Sequence, residues 1–324
     1  MKILYAFAFT SNLLLAKQFN PKKIINIIQS HVLEHDIDAQ SIGENCPAHS
    51  CDLSKSYLEK ISDLHQNKLP LHFTMVGFPY KSMNTKKKTL TASVDAAERY
   101  SLVYLNTMLK KLQAYYDYPV KLTIYMDGAA FSDIAGLSDA RISQYEQELK
   151  AISSDLHHIK IKTLKDILPN LTPNELRQKI EQCESSEETF YEASQNAPLQ
   201  QEIAILKKRM AFEMDCPEGI ALQKKYSILQ ISKKILHRSL QFSHLLNTVR
   251  PLNSIRLSVH YQKDCTKKIG IKLSHNSYVT PWHGVLVVDS FNNWRIQHLQ
   301  DIDQKQFVNT TMTINGIKLP YFLR

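Results

Sequence analysis

The chain has 324 residues, of which 43% are hydrophobic and 22% are charged, and its formal net charge is +9. This length suits one large domain or two ordinary ones, and the composition excludes disordered, collagen-like and coiled-coil proteins. Only eight residues are glycine, and neither the G-x-G-x-x-G pattern nor the G-x-x-x-x-G-K-[ST] pattern occurs, which excludes the usual nucleotide-binding motifs.

The cysteines and the start of the chain bear on its compartment. Five cysteines, an odd number without a C-x-x-C pair, favour a reducing environment. Lys2 and the apolar residues Ile3 to Phe9 imitate a signal peptide, but Thr10 to Asn12 interrupt the apolar run and no cleavage-site pattern follows. No segment approaches the ~18 apolar residues that span a bilayer. We therefore predict a cytoplasmic protein that does not bind a membrane.

The first seventy residues are predicted to form an N-terminal helical region. Pro21 stands at the start of one helix, and Asp52 or Ser54 caps a second one. From residue 71 onward strands alternate with helices. Residues 71–324 are therefore predicted to form one α/β domain that carries the candidate catalytic residues.

Two β-loop-α units begin this domain. Their strands are predicted at Leu71 to Val76 and Val120 to Met126, and their helices at Val94 to Tyr116 and after the capping residue Ser138. Residues 164–220 are polar and helical, with an acidic patch between Glu184 and Glu192. We expect this segment to be a helical insertion.

A long amphipathic helix is predicted from Ala221 to about Leu246. Arg238 falls on its apolar stripe, so this arginine must pair with an acid or open into a cleft, because an unpaired buried charge is costly. Four strands follow, close enough for an antiparallel meander, at residues 254–260, 268–273, 284–288 and 294–299. We therefore predict an α/β fold in which a mixed sheet forms a Rossmann-like core flanked by helices.

Most of the excess positive charge lies in one segment. Between Ile220 and Leu273 there are eleven Lys or Arg residues and one acid, Asp264. Such a segment attracts nucleic acid, focuses small anionic substrates into a cleft, or forms a solvated basic face. The charge pattern alone leaves these three interpretations open.

Polar residues alternate along the strand that precedes residue 261. Arg256, Ser258 and His260 share one face, which aligns a cation, a hydroxyl and an imidazole. The competing interpretation is the solvated face of a half-exposed strand. A further histidine, His283, follows Trp282 in a turn before an apolar strand, and this turn is either part of a site or a hairpin connection anchored by the indole.

Other candidates lie where predicted strands end. Asp127 ends a strand and Asp133 follows six residues later, in the region where α/β sheets form ligand crevices. The loop after the first strand offers Lys81 and Ser82, whereas the neighbouring Lys86 to Lys88 are expected to be solvated. The calcium-loop, H-E-x-x-H and G-x-S-x-G patterns are absent, so we predict neither a metal site nor a nucleophile elbow.

Five segments together form a distinctive set. They are Gly77 to Asn84, Ile124 to Asp139, Ile255 to His260, Lys268 to Leu273 and Thr280 to Val285. In this order they resemble the pyoverdine/dityrosine biosynthesis family, whose members are isocyanide (isonitrile) synthases, and the resemblance covers most of the chain. Asp95 with Glu98, and Arg238 with Ser239, also match positions of the family pattern.

The resemblance implies a reaction and a set of site residues. In that reaction the α-amine of an aromatic amino acid, tyrosine or tryptophan, condenses with the ketone of ribulose 5-phosphate, whose C2 becomes the isonitrile carbon. No cofactor is required, and an iron/2-oxoglutarate oxygenase usually acts downstream. The expected proton carriers are His260, His283, Asp127 and Asp133. The expected substrate-binding residues are Lys81, Ser82, Glu98, Arg238, Arg256 and Trp282.

The chain departs from the family pattern at Met83, Ala129 and Tyr261. The family usually has arginine where Ala129 stands; if that arginine holds an anion in relatives, substrate choice differs here. One alternative function is the formation of an N-formyl amino acid, as in some fungal relatives, and the mass of the product distinguishes it. The other is anion or nucleic-acid binding by the basic segment, which predicts salt-dependent binding but lacks interleaved aromatic residues.

Overall fold

The computed structural model describes residues 19–34, 51–183, 197–262, 265–275 and 279–324. The signal-like segment after Lys2 and the acidic patch between Glu184 and Glu192 lie outside these residues. Within the described ranges, no helix is both long enough and apolar enough to cross a membrane.

A five-stranded sheet forms the centre of the molecule. Its strands are β1 (Leu71–Val76), β2 (Val120–Tyr125), β3 (Ile159–Lys162), β4 (Ile255–Ser258) and β5 (Ile269–Gly270). They lie in the order β3-β2-β1-β4-β5, and each neighbouring pair is parallel. The predicted α/β fold class with a Rossmann-like core is confirmed.

Three helices cover one face of this sheet: α1 (Pro21–Gln29), α2 (Leu53–Gln66) and α3 (Ala96–Gln113). Their apolar residues join Phe73, Leu122 and Leu257 of the strands in the main hydrophobic core. The predicted start at Pro21 and the cap at Asp52 are both confirmed. The N-terminal helices therefore share their core with the sheet.

Seven further helices lie in the described part of the chain between β2 and β4. They are α4 (Gly128–Ala135), α5 (Asp139–Ile152), α6 (Leu164–Ile167), α7 (Pro173–Glu181), α8 (Ala197–Glu213), α9 (Pro217–Gln223) and α10 (Ile228–Val249). A second core joins Phe131 of α4, Leu176 of α7, Met210 of α8 and Phe242 of α10. This core covers the second face of the sheet.

Two details of the helix prediction are wrong. The long helix begins at Ile228 instead of Ala221, because the Ser227 hydroxyl accepts from the Gln230 backbone and the Gln230 amide oxygen accepts from the Ser227 backbone, which closes a capping box. The segment after Asp127 was expected to be a loop, but it forms α4, which ends at Gly136 in a left-handed conformation.

A second sheet contains four strands: β6 (Val285–Val288), β7 (Trp294–Gln297), β8 (Val308–Ile314) and β9 (Ile317–Leu323). Their order is β7-β6-β9-β8, with one parallel and two antiparallel pairs. The predicted meander of residues 254–299 is therefore wrong. β5 pairs in parallel with β4, and of the four strands in the predicted meander only the last two, β6 and β7, pair as an antiparallel hairpin.

The tertiary structure joins Cys51 and Cys265 in a disulfide, with 5.8 Å between their Cα atoms. These residues are 214 positions apart, and Cys51 lies just before α2 whereas Cys265 lies just before β5. The scattered cysteines predicted free thiols in a reducing environment, and this pairing differs from that expectation. Sequence spacing carries no signal for a contact at such a separation.

Candidate active site

The strand order places a crevice at the carboxyl ends of the central strands. From β1 the sheet extends through β2 and β3 on one side and through β4 and β5 on the other, so the strand order reverses direction between β1 and β4. Ligands of α/β sheets bind at such a switch point. Four chain segments meet here. A Cβ atom at Gly77 would lie 3.3 Å from Cη2 of Trp282 and 3.4 Å from Cγ1 of Val259, and one at Gly128 would lie 1.9 Å from the carbonyl oxygen of Pro79. Glycine is therefore required at residue 128.

Lys81 is buried beneath this crevice and connects the segments that form it. Its Nζ atom is fully buried, 2.8 Å from Oδ2 of Asp95 and 3.0 Å from Oε2 of Glu98. The same nitrogen donates to the carbonyl oxygens of Pro281 and Gly284. Its three N–H donors are therefore used inside the protein, and Lys81 joins the loop after β1 to the start of α3 and to the turn before β6.

Glu98 belongs to the same buried group. It closes the capping box of α3 with Asp95, and it accepts a hydrogen bond of 3.2 Å from the hydroxyl of Tyr145. Burial raises the pKa of Glu98 well above its ordinary value, and the nearby Lys81 ammonium acts in the opposite direction. Lys81 and Glu98, both predicted to bind substrate, thus form an ion pair with each other beneath the crevice.

A second carboxylate, Glu213 at the end of α8, collects several partners. It accepts from the Ser82 hydroxyl at 2.8 and 2.9 Å, from the Met83 backbone at 3.2 Å, and from Nζ of Lys88 at 2.7 Å. Lys88 was expected to be solvated, but it is only 3% exposed because its ammonium is paired with Glu213. The sequence analysis did not identify Glu213, since its partners lie 125 residues or more away along the chain.

His283 lies beside this carboxylate. Its Nε2 atom is 3.7 Å from Oε2 of Glu213, and its Nδ1 atom is 3.0 Å from the hydroxyl of Thr280. Burial, together with the positive charge of Lys88, holds the pKa of His283 well below its ordinary value. The imidazole is therefore neutral at pH 7. A third of the His283 side chain is exposed. The adjoining Trp282 is buried and packs edge-on against Phe78, with 5.1 Å between ring centroids.

Asp127 occupies the end of β2 with one oxygen unused. It is the residue before α4, yet its side chain makes no capping hydrogen bond. Its Oδ1 atom is buried and has no hydrogen-bond partner among the described residues. Burial raises the pKa of Asp127 to about 7. Asp127 can therefore both accept and donate a proton near neutral pH.

Tyr80, in the loop after β1, is influenced by charged groups from two parts of the site, Glu213 and Asp127. Burial raises the pKa of Tyr80, and the charges of Glu213 and Asp127 raise it further, whereas the Arg141 guanidinium lowers it. The phenol is therefore protonated at neutral pH and lies close to both carboxylates. Tyr80 was not identified from the sequence, although it lies within the Gly77 to Asn84 segment.

Arg238 and Asp133 form a separate group. Nη1 of Arg238 donates to the carbonyl oxygen of Ala130 at 2.8 Å, and Nη2 contacts Glu181 and lies 3.5 Å from Oδ2 of Asp133. Arg238 is 6% exposed. Of the two alternatives drawn from its helix stripe, the structure shows the paired arginine, which ties α10 to α4 and α7.

Arg256 and His260 also lie apart from each other. Arg256 is half-buried, with Nη2 3.4 Å from the Ser243 hydroxyl, and it forms no ion pair with described residues. Burial and the charge of Arg250 lower the pKa of Arg256. His260 lies beyond the end of β4 and is exposed, with Nδ1 3.4 Å from Nη1 of Arg209 on α8. The arginine thus faces α10, whereas the histidine reaches the end of α8 that carries Glu213.

The structure brings together part of the predicted set. Ser82, Trp282 and His283 share one neighbourhood with Glu213, and the charge of Asp127 acts on Tyr80, in the same loop as Ser82. Within the described ranges, no group of three or more His, Cys, Asp or Glu side chains has the arrangement of a metal site.

The fold and these groups define an α/β protein whose candidate active site lies at the carboxyl edge of a parallel sheet. The family model for the pyoverdine/dityrosine biosynthesis protein matches residues 61–310, and the chain belongs to this family. It is similar to an L-tryptophan isonitrile synthase from Fischerella ambigua, with 29% identity covering 86% of this chain and 90% of the relative. It is also similar to an L-tyrosine isonitrile synthase from Pseudomonas aeruginosa, with 31% identity covering 67% of this chain and 70% of the relative.

The comparison of folds agrees with this assignment. The crystal structure of the PvcA protein from Pseudomonas aeruginosa superposes with a TM-score of 0.79 and 23% identity, covering 94% of this chain and 99% of that one. The overall fold is thus shared. The relatives named isonitrile or isocyanide synthase identify the chain as an enzyme of that type.

Proposed function

We propose that the protein is an isonitrile synthase that acts on the α-amino group of an aromatic L-amino acid, tyrosine or tryptophan, with ribulose 5-phosphate as the carbon donor. The similar proteins from Fischerella ambigua and Pseudomonas aeruginosa, which are named for tryptophan and tyrosine, support the choice of an aromatic amino acid. The buried, unpartnered Oδ1 atom of Asp127 is the observation that carries the proposal within this chain.

Asp127 is the proposed general base. The amine of an amino acid is protonated at neutral pH and must lose a proton before it attacks a ketone. A carboxylate whose pKa is about 7 is a much stronger proton acceptor than an ordinary aspartate. The hydroxyl of Tyr80 stays protonated. It is the proposed hydrogen-bond donor to a substrate oxygen that gains negative charge or departs during the reaction.

His283 is the second proposed proton carrier. The imidazole is neutral and accepts a proton only transiently, because its lowered pKa makes the protonated ring a strong acid that returns the proton readily. Lys88 and Ser82 hold the neighbouring carboxylate of Glu213 in place. Lys81, Glu98 and Trp282 have positioning roles in this proposal, because their polar or aromatic groups are already bonded or packed within the protein. His260, beside Arg209, stays a candidate for later proton transfers.

Arg256 is the proposed ligand of the sugar phosphate. Its guanidinium has only a hydroxyl partner among the described residues. Lys268 supports the same role: burial lowers the pKa of Lys268, and the charge of Arg256 lowers it further, so the two cations are neighbours. The charge of Glu202 also acts on Lys268, but neither cation forms an ion pair with an acid of the described residues, and such a pair of cations favours a phosphate dianion.

The test is the reaction itself. The protein is incubated with tyrosine or tryptophan and with ribulose 5-phosphate labelled with carbon-13 at C2, and the products are analysed by mass spectrometry. We expect an isocyanide that carries the label and that disappears when the sugar phosphate is omitted or when Asp127→Asn replaces the wild type. An unlabelled isocyanide would reject the carbon donor, and the absence of any isocyanide would reject the function.

The same experiment distinguishes the alternative product. An N-formyl amino acid has the mass of the isocyanide plus one water, so its presence in freshly quenched samples would favour the N-formyl alternative. We further propose that the isonitrile is consumed by an iron/2-oxoglutarate oxygenase and that the protein acts in the cytoplasm. Activity of a co-purified or neighbouring oxygenase on the isonitrile, and cell fractionation, test these two points.

A further inference from the structure

Arg141, in the first turn of α5, has an unused hydrogen-bonding edge. Its Nε and Nη2 atoms are buried and have no hydrogen-bond partner among the described residues. These two nitrogens form the side of the guanidinium whose parallel N–H groups match the two oxygens of a carboxylate. Helix stability does not account for the residue, since a cation near a helix N-terminus is unfavourable.

A cavity of about 180 Å³ adjoins this residue. It is lined by Ala92, Ser93, Arg141, Gln144, Tyr145 and Glu148. Of these, Glu148 carries the negative charge, and its oxygens accept from the Val94 backbone at 3.1 Å and from the Gln144 amide at 2.8 Å. At roughly 30 Å³ per water molecule, the space suits a small polar head group.

Arg141 also belongs to the neighbourhood of Asp127. The next residue in the helix, Ile142, packs against the residue after the aspartate: a Cβ atom at Gly128 would lie 3.3 Å from its Cγ2. The charges of Arg141 and Asp127 both act on Tyr80, in opposite directions. The three side chains therefore come from segments that meet at one end of the crevice.

We propose that Arg141 binds the α-carboxylate of the amino-acid substrate, an inference that rests on the function proposed above. In an amino acid the amine is one carbon away from the carboxylate, so a carboxylate held by Arg141 brings the amine toward Asp127. A phosphate dianion fits less well, because Glu148, which lines the cavity, would repel it. The substrate ammonium, in contrast, is attracted by this carboxylate.

The experiment compares acids with their decarboxylated amines. Calorimetry gives the dissociation constants of L-tyrosine, L-tryptophan, tyramine, tryptamine and ribulose 5-phosphate, each titrated alone so that no turnover occurs, for wild type and for Arg141→Met. We expect the wild type to prefer the acids, and Arg141→Met to weaken the binding of the acids about 10- to 100-fold while leaving the amines unchanged. Arg141→Lys, which keeps the charge but loses the parallel N–H pair, should give an intermediate loss.

Lys150→Met is the matched control. Lys150 lies on the same helix and pairs with Asp166 at 2.7 Å, away from the residues that line the cavity. The control should change neither acid nor amine binding. Circular dichroism checks the fold of each variant, and the Arg141→Lys comparison decides if Arg141→Met does not fold.

Each outcome separates this inference from the proposed function. Equal weakening of acids and amines, a wild type without preference for the acids, or weakened binding of the sugar phosphate alone would overturn the role of Arg141. Selective loss of acid binding without any isocyanide formation would support Arg141 and reject the proposed reaction. Isocyanide formation that is unaffected in Arg141→Met would reject Arg141 and retain the reaction.

Discussion

The two sides of the candidate active site differ in how their buried charges are satisfied. On the side formed by the loop after β1, the ammonium groups of Lys81 and Lys88 each contact buried carboxylates at 2.7 to 3.0 Å. On the side formed by β2 and α5, Asp127 and Arg141 each have buried polar atoms without a hydrogen-bond partner among the described residues. On the first side each of these carboxylates is paired with an ammonium, although Oδ2 of Asp95 makes no hydrogen bond beyond its ion pair with Lys81. On the second side, Asp127 and Arg141 form no ion pair with a described residue.

This difference separates residues that stabilise the fold from residues that act on the substrate. A buried ion pair contributes little net stability, but removing one partner leaves an uncompensated charge and is strongly destabilising. A buried group that lacks a partner lowers stability in the free protein, and such groups collect at functional sites. We therefore expect substitutions on the paired side to affect folding and substitutions on the unpaired side to affect catalysis.

The largest expected effect is that of Lys81→Met. It leaves Asp95 and Glu98 buried without their cation, so the free energy of unfolding should fall by about 3–5 kcal/mol. Urea denaturation measures this change. Lys87→Met is the control: the contact of Lys87 with Asp215 is about half exposed, and its loss should cost about 0–1 kcal/mol. If Lys81→Met were stable and had lost only the binding of a substrate, Lys81 would be a ligand after all.

Asp127→Asn should reduce kcat about 10²- to 10⁴-fold, because the general base is removed while its shape is kept. In the wild type the base works in its ionised form, so kcat/KM should fall as the pH drops below about 7, the value to which burial raises the pKa of Asp127. The variant should lack this acid limb. A pH profile of the same shape in both proteins would assign the titration to another group.

The stability of the same variant checks the sign of the pKa shift. The pKa of Asp127 is raised on folding, so the folded state holds its proton more tightly than the unfolded state. This interaction stabilises the protein at low pH, and the stability is lost as the pH rises toward 7. Asp127→Asn should therefore be more stable than wild type at pH 8, and the difference should shrink toward pH 4. Thermal unfolding across this range measures it.

Arg238→Met concerns the separate group of Arg238 and Asp133, whose charges are also paired, and it should act on stability. The arginine is buried, but its partners Asp133 and Glu181 are 43% and 50% exposed, so water compensates part of the loss. We expect the free energy of unfolding to fall by about 1.5–3 kcal/mol, with normal KM values for the protein that remains folded. Abolished turnover in a fully stable variant would instead restore the cleft-facing role inferred from the helix stripe.

Much of the fold was predictable because its signals are local. The apolar run of β1, the caps at Asp52 and Ser138 and the end of β2 shortly before Asp127 are all signalled by neighbouring residues. The pairing of β5 with β4 and the hairpin of β8 and β9 were not predicted. Pairing direction depends on where the chain returns, and a two-residue strand such as β5 has no pattern of its own.

The site was predictable only in part, for a similar reason. Asp127, Ser82 and His283 stand at strand ends or in turns of the segments that carry the family resemblance, which single residues can signal. Glu213 lies in a helix with no distinctive motif, and only the folded chain brings it to Lys88. Burial is also a tertiary property, so the sequence could not distinguish a solvated Lys88 from a paired one. It also could not reveal that Nε and Nη2 of Arg141 lack a hydrogen-bond partner within the described part of the chain.

The smallest of these effects is expected for Arg256→Gln, and it separates the two anions of the proposed reaction. Arg256 and Lys268 are neighbouring cations, so loss of one weakens phosphate binding without removing the other. KM for ribulose 5-phosphate should rise about tenfold, the cost of one charge-assisted contact. KM for the amino acid and kcat should change little if the contact is equally strong in the ground and transition states.

Arg141→Met should give the opposite pattern, with the larger rise for the amino acid. Were both variants to raise the same KM, the two arginines would serve one anion, and the separation of a phosphate site at β4 from a carboxylate site at α5 would be wrong.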